Sequence, residues 1–140
     1  MKKSILLLTL LLSTFTWANN SADVIEARQK AFSLIEDQLD KASDLVDGND
    51  TNWQQLELVA KQLTHASHTI SFPEGSREGS KASDKIWQDT TKFEQLMAQM
   101  DQGISELYQA SQQHNASMAE DGIDKAEKTC RSCHRAYRSR

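Results

Sequence analysis

Residues 119–137 read AEDGIDKAEKTCRSCHRAY. Ala119, Ile123, Ala126, Cys130, Cys133 and Tyr137 recur at spacings of three and four, so one helical face carries them all. Ser117 and Glu120 stand at capping-box spacing, which predicts a helix from Met118 to Arg138. On that seam Cys130 and Cys133 point toward a bundle interior. They are the only cysteines in the chain, and His134 follows the second directly. Cys-x-x-Cys-His is the arrangement that covalent attachment of a c-type haem requires. Two thiols add across the porphyrin vinyl groups, and the adjacent imidazole becomes an axial ligand of the iron. On a helix, positions i, i+3 and i+4 share a face, so one flat macrocycle can meet all three.

Three other chemistries use such cysteines. A thioredoxin-like redox pair needs a βαβ setting, and no strand-like stretch precedes these residues. A zinc site needs a further ligand from His65, His68, His114 or a carboxylate, and no second cluster has zinc-type spacing. A structural disulfide leaves His134 without a role. The motif favours haem, with these three as alternatives.

Working outward, three more seams precede this one. Ile25, Phe32, Ile35, Leu39, Ala42 and Val46 predict an amphipathic helix from Ala22 to Asp47, capped by Asn20 or Ser21 and stopped at Gly48. Arg28 breaks that seam one turn before Phe32. A cation on an apolar face either runs its stem along the core to reach water or meets a buried anion such as a haem propionate; beside a haem motif the second is favoured. Trp53, Leu56, Ala60, Leu63 and Ser67 predict a second helix from Asn52 to Thr69, with Thr51 and Gln54 as its capping box. His65 and His68 read as surface residues rather than iron ligands. Residues 71–80 hold the only proline and two of the five glycines, which marks a loop, with Phe72 tucked inward.

The third seam is the most regular. Ile86, Thr90, Phe93, Met97, Met100, Ile104, Leu107 and Ser111 predict one helix from Ser83 to His114, with Gly103 inside it or marking a kink. Met97 and Met100 occupy core positions that packing already explains. Four amphipathic helices with short polar breaks predict an all-α antiparallel four-helix bundle with a covalently bound haem inside. Small residues on the seams leave room for a large apolar cofactor, so the haem-free chain is expected to fold poorly.

The start of the chain reads as an export signal. Lys2 and Lys3 precede the apolar run Ile5–Leu12, and Thr16-Trp17-Ala18 offers a small-x-small cleavage site. The run is too short to span a bilayer. The expected organisation is a cleaved signal over 1–18 and one domain over 19–140, exported to the periplasm. Removing Lys2 and Lys3 takes the formal net charge from −4 to −6, which argues against nucleic acid or an anionic membrane as partner. No catalytic triad, carboxylate pair or phosphate loop is visible, so a turnover enzyme is not expected.

Taken together, the chain resembles the cytochrome c′ family, the class II c-type cytochromes. Arg28-Gln29, Phe72-Pro73-Glu74-Gly75, Ile86-Trp87 and Cys130 through Arg138 carry the likeness over nearly the whole expected mature chain. The resemblance implies one haem c, bound through Cys130 and Cys133, with His134 as sole protein ligand and a vacant sixth position on the iron. It implies cofactor contacts for Arg28 and Gln29, Arg28 lying near the propionates, and a basic Arg138 beside the proximal imidazole. Phe32 matches the distal position, which is an iron-binding methionine in the six-coordinate relatives. A phenyl ring has no lone pair to offer, so it can only crowd the open face; a plain core phenylalanine is the alternative. The function implied is a periplasmic haem protein with five-coordinate iron that binds nitric oxide or carbon monoxide, with nitric oxide sequestration as a role. The alternative is an electron carrier with redox partner proteins. Homodimers, commonly formed through the first two helices, are frequent in the family.

Overall fold

The computed structural model describes residues 16–139. The export-signal reading of residues 1–18 falls almost wholly outside them. Five helices follow one another: α1 (Thr16–Leu45), α2 (Trp53–His68), α3 (Lys85–Gln88), α4 (Thr90–Gln113) and α5 (Ala116–Tyr137). The four long helices form the expected bundle, and α3 is a single turn on the crossover between α2 and α4. No described helix is long and apolar enough to cross a membrane.

The helix ends differ from the expected ones for local reasons. α1 begins upstream of Ala22, so Asn20 and Ser21 lie within the helix rather than at its start. At α2 the cap is Asn52, whose Oδ1 accepts from the Gln55 N–H at 3.1 Å. Thr51 instead closes the preceding turn, its Oγ1 donating to the Gly48 carbonyl and accepting from the Asp47 N–H, both at 2.9 Å. At α5 the cap is Asn115, accepting from the Met118 N–H at 3.1 Å, so that helix starts at Ala116 rather than Met118. In both cases an asparagine, among the best N-cap residues, took the position from a threonine or serine within two residues of it.

The predicted third helix is broken. Asp89 adopts φ −128°, ψ 65°, separating α3 from α4 and leaving Thr90 exposed instead of on the seam. Asp-Thr-Thr combines a residue that competes for backbone hydrogen bonds with two β-branched ones, a poor run for a helix interior. The break lets α3 take its own direction and aim Trp87 at the loop.

The main core draws Ile35 and Leu39 from α1, Leu56 and Leu63 from α2, Ile104 and Leu107 from α4, and Ile123 and Ala126 from α5. Between α4 and α5 the backbones touch. A Cβ placed on Gly103 would lie 2.6 Å from the Gly122 carbonyl oxygen and 2.7 Å from the Ala126 nitrogen; one on Gly122 would lie 2.7 Å from the Gly103 oxygen. Gly103 is therefore neither incidental nor a kink. It is one half of a glycine-on-glycine crossing that no larger residue fits.

A second, smaller cluster closes the other end. Ile86, Phe93 and Tyr137 are buried there, with Phe72 and Trp87 packed on them. The chain end is stitched to the loop: the Ser83 N–H donates to the Tyr137 carbonyl at 2.7 Å, and the Ser139 N–H to the Lys81 carbonyl at 2.9 Å. Ala82 and Arg138 thereby form an isolated antiparallel bridge.

Candidate haem-attachment site

The last two turns of α5 place the motif. Cys130 and Cys133 are half-buried, and Cys130 packs against the main core, as the seam required. Both are free thiols. Burial raises the Cys130 thiol above its ordinary value, and Glu36 of α1 raises it further. Burial, with Cys130 as neighbour, pushes Cys133 up to about 11. Both sulfurs are therefore protonated near neutral pH, the form in which a thiol adds S–H across a vinyl group. A structural metal would instead need thiolates, and among the described residues no cluster of three or more His, Cys, Asp or Glu side chains gathers to hold an ion. His134 follows on the exposed side of the helix.

α1 forms the facing wall. Glu36 of α1 is near enough to act on Cys130, and Phe32 stands one turn earlier on α1. Phe32 is half-buried, packs on the main core and lies 6.3 Å, centroid to centroid, from Phe72. Two vicinal thiols, an imidazole on the same turn and a facing apolar wall are a donor set that fits a covalently bound haem. His65 and His68 are exposed on α2. His114 caps α4 in the left-handed region (φ 53°) and stacks on Trp53 at 5.1 Å. Met100 is buried in the core.

Arg28 is 3 % exposed, and its partners are loop oxygens. Nη1 donates to Ser76 Oγ at 2.7 Å and makes a longer contact of 3.4 Å with the Ser71 carbonyl; Nη2 donates to the Ser76 carbonyl at 3.0 Å and Ser80 Oγ at 2.6 Å. The guanidinium carbon sits 4.5 Å above the Phe72 ring centroid. Burial pushes this group below the usual arginine range. Its described hydrogen-bond partners are all neutral, leaving a buried cation without a described counter-ion. Gln29 is exposed on α1 and Arg138 exposed just past α5, so the structure does not bring these two into the cluster around Arg28.

The loop partners of Arg28 were not legible in sequence. Ser71, Ser76 and Ser80 follow no period, and only the Arg28 seam anomaly signalled that something polar had to meet it. The aromatic group was equally hidden, since its members come from four segments. Phe72 meets Phe93 edge-on at 4.9 Å and Trp87 at 6.2 Å, and Phe93 meets Tyr137 at 5.3 Å.

The family described as Cytochrome C' matches residues 23–138. Among solved structures, the fold is similar to a cytochrome c prime mutant from Alcaligenes xylosoxidans in complex with nitric oxide, at 23% identity and TM-score 0.75, covering 86% of this chain and 96% of that one. A ferric mutant of cytochrome c prime from the same organism, complexed with nitrite, matches at 24% identity and TM-score 0.77, covering 86% and 97%. A third structure, described as cytochrome c', matches at 22% identity and TM-score 0.74, covering 85% and 97%. No curated protein matches the sequence. At these identities the structures speak for the bundle, and the family match over nearly the whole described chain speaks for membership. The chain belongs to the cytochrome c′ family, and a c-type haem is what that membership implies.

Proposed function

We propose that this is a periplasmic haem protein whose five-coordinate iron binds nitric oxide and carbon monoxide, with nitric oxide sequestration as its role. Cys130 and Cys133 hold the haem and His134 is its only protein ligand. When bound, the haem supplies an iron atom with one position open to a diatomic. The observation that carries this reading is Phe32, packed on the same core as Cys130 and one turn along α1 from Glu36, which acts on that thiol. Its ring offers no donor atom, excludes water and leaves only an apolar approach, which favours neutral diatomics over anions. The nitric oxide complex of the structurally similar mutant agrees with it. Arg28, buried without a described counter-ion, supplies the positive field a propionate would need. Arg138, four residues beyond His134, is the basic residue we assign to the proximal side of the imidazole. Leu34 on α1 and Leu58 on α2 are 38 % and 52 % exposed, and they support a homodimer built on these two helices. Lys2, Lys3 and the apolar run after them support export.

Visible absorption of the purified protein, ferric and ferrous, with and without each gas, tests the reading. A broad high-spin ferrous Soret band that sharpens and shifts with gas is the expected result. A sharp ferrous α/β pattern that neither gas changes would mean a sixth protein ligand, and electron transfer would replace gas binding as the function.

A further inference from the structure

The clasp between Arg28 and the 71–80 loop does more than hold the loop down. We propose that Phe72, fixed by Arg28 together with Ser76 and Ser80, is the backstop that keeps Phe32 over the open haem face, so that these four residues set how fast a diatomic reaches the iron. The inference rests on the gas-binding reading above and extends it from the distal residue to the device that positions it.

Phe72 is immobilised from several directions. The Arg28 guanidinium covers one face at 4.5 Å, Phe93 meets the ring edge-on at 4.9 Å and Trp87 at 6.2 Å. Its own carbonyl accepts from Trp87 Nε1 at 3.0 Å. The loop around it is anchored at both ends. Arg28 binds Ser71, Ser76 and Ser80 on the α1 side, while residues 81–83 pair with residues 137–139 at the end of α5. Ser80 Oγ joins the two anchors, receiving both Arg28 Nη2 at 2.6 Å and the Ala82 N–H at 2.9 Å.

Phe32 is held less firmly. It is half-buried like Phe72 and packs on the main core, but its one aromatic contact among the described residues is Phe72 itself, where Phe72 has Arg28, Phe93 and Trp87 as well. A phenylalanine moves between discrete rotamers, and in a close-packed interior each new rotamer needs volume that a neighbour must yield. Phe72 occupies volume beside Phe32, and Phe72 yields only if the Arg28 clasp opens. Access is then governed two residues away from the metal, by hydrogen bonds to hydroxyls that an alanine can remove without emptying the core.

Carbon monoxide association with the ferrous holoprotein, followed by stopped flow, tests this with Phe72→Leu and Ser80→Ala. A readout that needs no gas accompanies it: hydrogen exchange at the Ser76, Ser80 and Ala82 amides. Phe72→Leu is expected to raise the association rate about tenfold, a change of about 1.4 kcal/mol in barrier. Ser80→Ala should raise it severalfold, with faster exchange at those amides and an unchanged ferrous spectrum in both variants. Phe32→Ala serves as the reference. If it speeds association while Phe72→Leu and Ser80→Ala leave the rate at the parent value, the clasp is only structural and the inference is overturned, with gas binding intact. If the parent protein shows a gas-insensitive six-coordinate spectrum, the gas-binding reading itself has failed.

Discussion

The two sides of α5 are built on opposite plans. Toward α4, Gly122 meets Gly103 and Ala126 meets the same crossing, so backbone rests on backbone and not even a methyl group fits between. Toward α1, the same helix carries two half-buried thiols, of which Cys130 packs on the main core as Phe32 does and is acted on by Glu36. The first side is complete as it stands. The second carries apolar and sulfur-bearing groups that a flat cofactor can cover. Stability is thus concentrated where nothing binds, and the face that meets the cofactor is supported from behind by a packed pair of helices.

The sharpest way to separate the sides is to abolish attachment. Replacing both cysteines, Cys130→Ala with Cys133→Ala, is expected to leave a haem that organic extraction removes completely, where the parent protein retains it. In the haem-free product, α1 amides such as those of Phe32 and Ile35 should exchange far faster than those of Leu107 and Ala126 on the α4–α5 side. Uniform exchange across the four long helices would mean that the two sides are not independently stable.

Gly122→Ala attacks the other side. Its Cβ would lie 2.7 Å from both the Gly103 oxygen and the Leu107 nitrogen, atoms of the α4 backbone that have no rotamer to change. Overpacking of this kind costs about 1–3 kcal/mol, measurable as a lower urea midpoint in the holoprotein. Gly103→Ala should cost a similar amount. The double variant should cost less than the sum, since once the helices part for one methyl the second has room.

Sequence periodicity found the seams because burial obeys it: Ile35, Leu39, Leu63, Ile104, Leu107 and Ile123 were all on the expected faces and are all buried. The attachment motif was legible for the same reason, its spacing being a helical spacing. What periodicity cannot express is contact between segments. Gly103 looked like a weak point in a helix until Gly122 was seen opposite it. Arg28 was flagged as anomalous, but its neutral partners Ser76 and Ser80 sit 48 and 52 residues away. The break at Asp89 was missed because the four-three pattern runs straight through it, although local propensity argued against helix there.

Capping gives a smaller effect on the same comparison. Asn115→Ala removes the bond from the Met118 N–H at the start of α5, and the loss of an N-cap costs about 1 kcal/mol. Because that end belongs to the α4–α5 side, thermal stability should fall while the visible spectrum of bound haem stays unchanged. A spectral change from this variant would mean that the two sides communicate along α5.

The smallest effect is expected at the rim of the tight crossing, where Lys125 of α5 bonds to Glu106 of α4. The pair looks attractive as a brace, since it joins the same two helices and both side chains are partly covered, at 36% and 26% exposure. Its worth is limited by water: an ion pair in this position gives up hydration and side-chain freedom for an attraction that solvent screens, leaving about 0.2–1 kcal/mol. Lys125→Met keeps the aliphatic stem and removes the charge, so the stem's packing is not confused with the ion pair. The denaturation midpoint should fall slightly in low salt, and the difference from the parent should vanish in 1 M salt, where the screening length is about 3 Å. A loss as large as that of Gly122→Ala, or one that salt leaves untouched, would shift the hold on α4 and α5 from the glycine crossing to its charged rim.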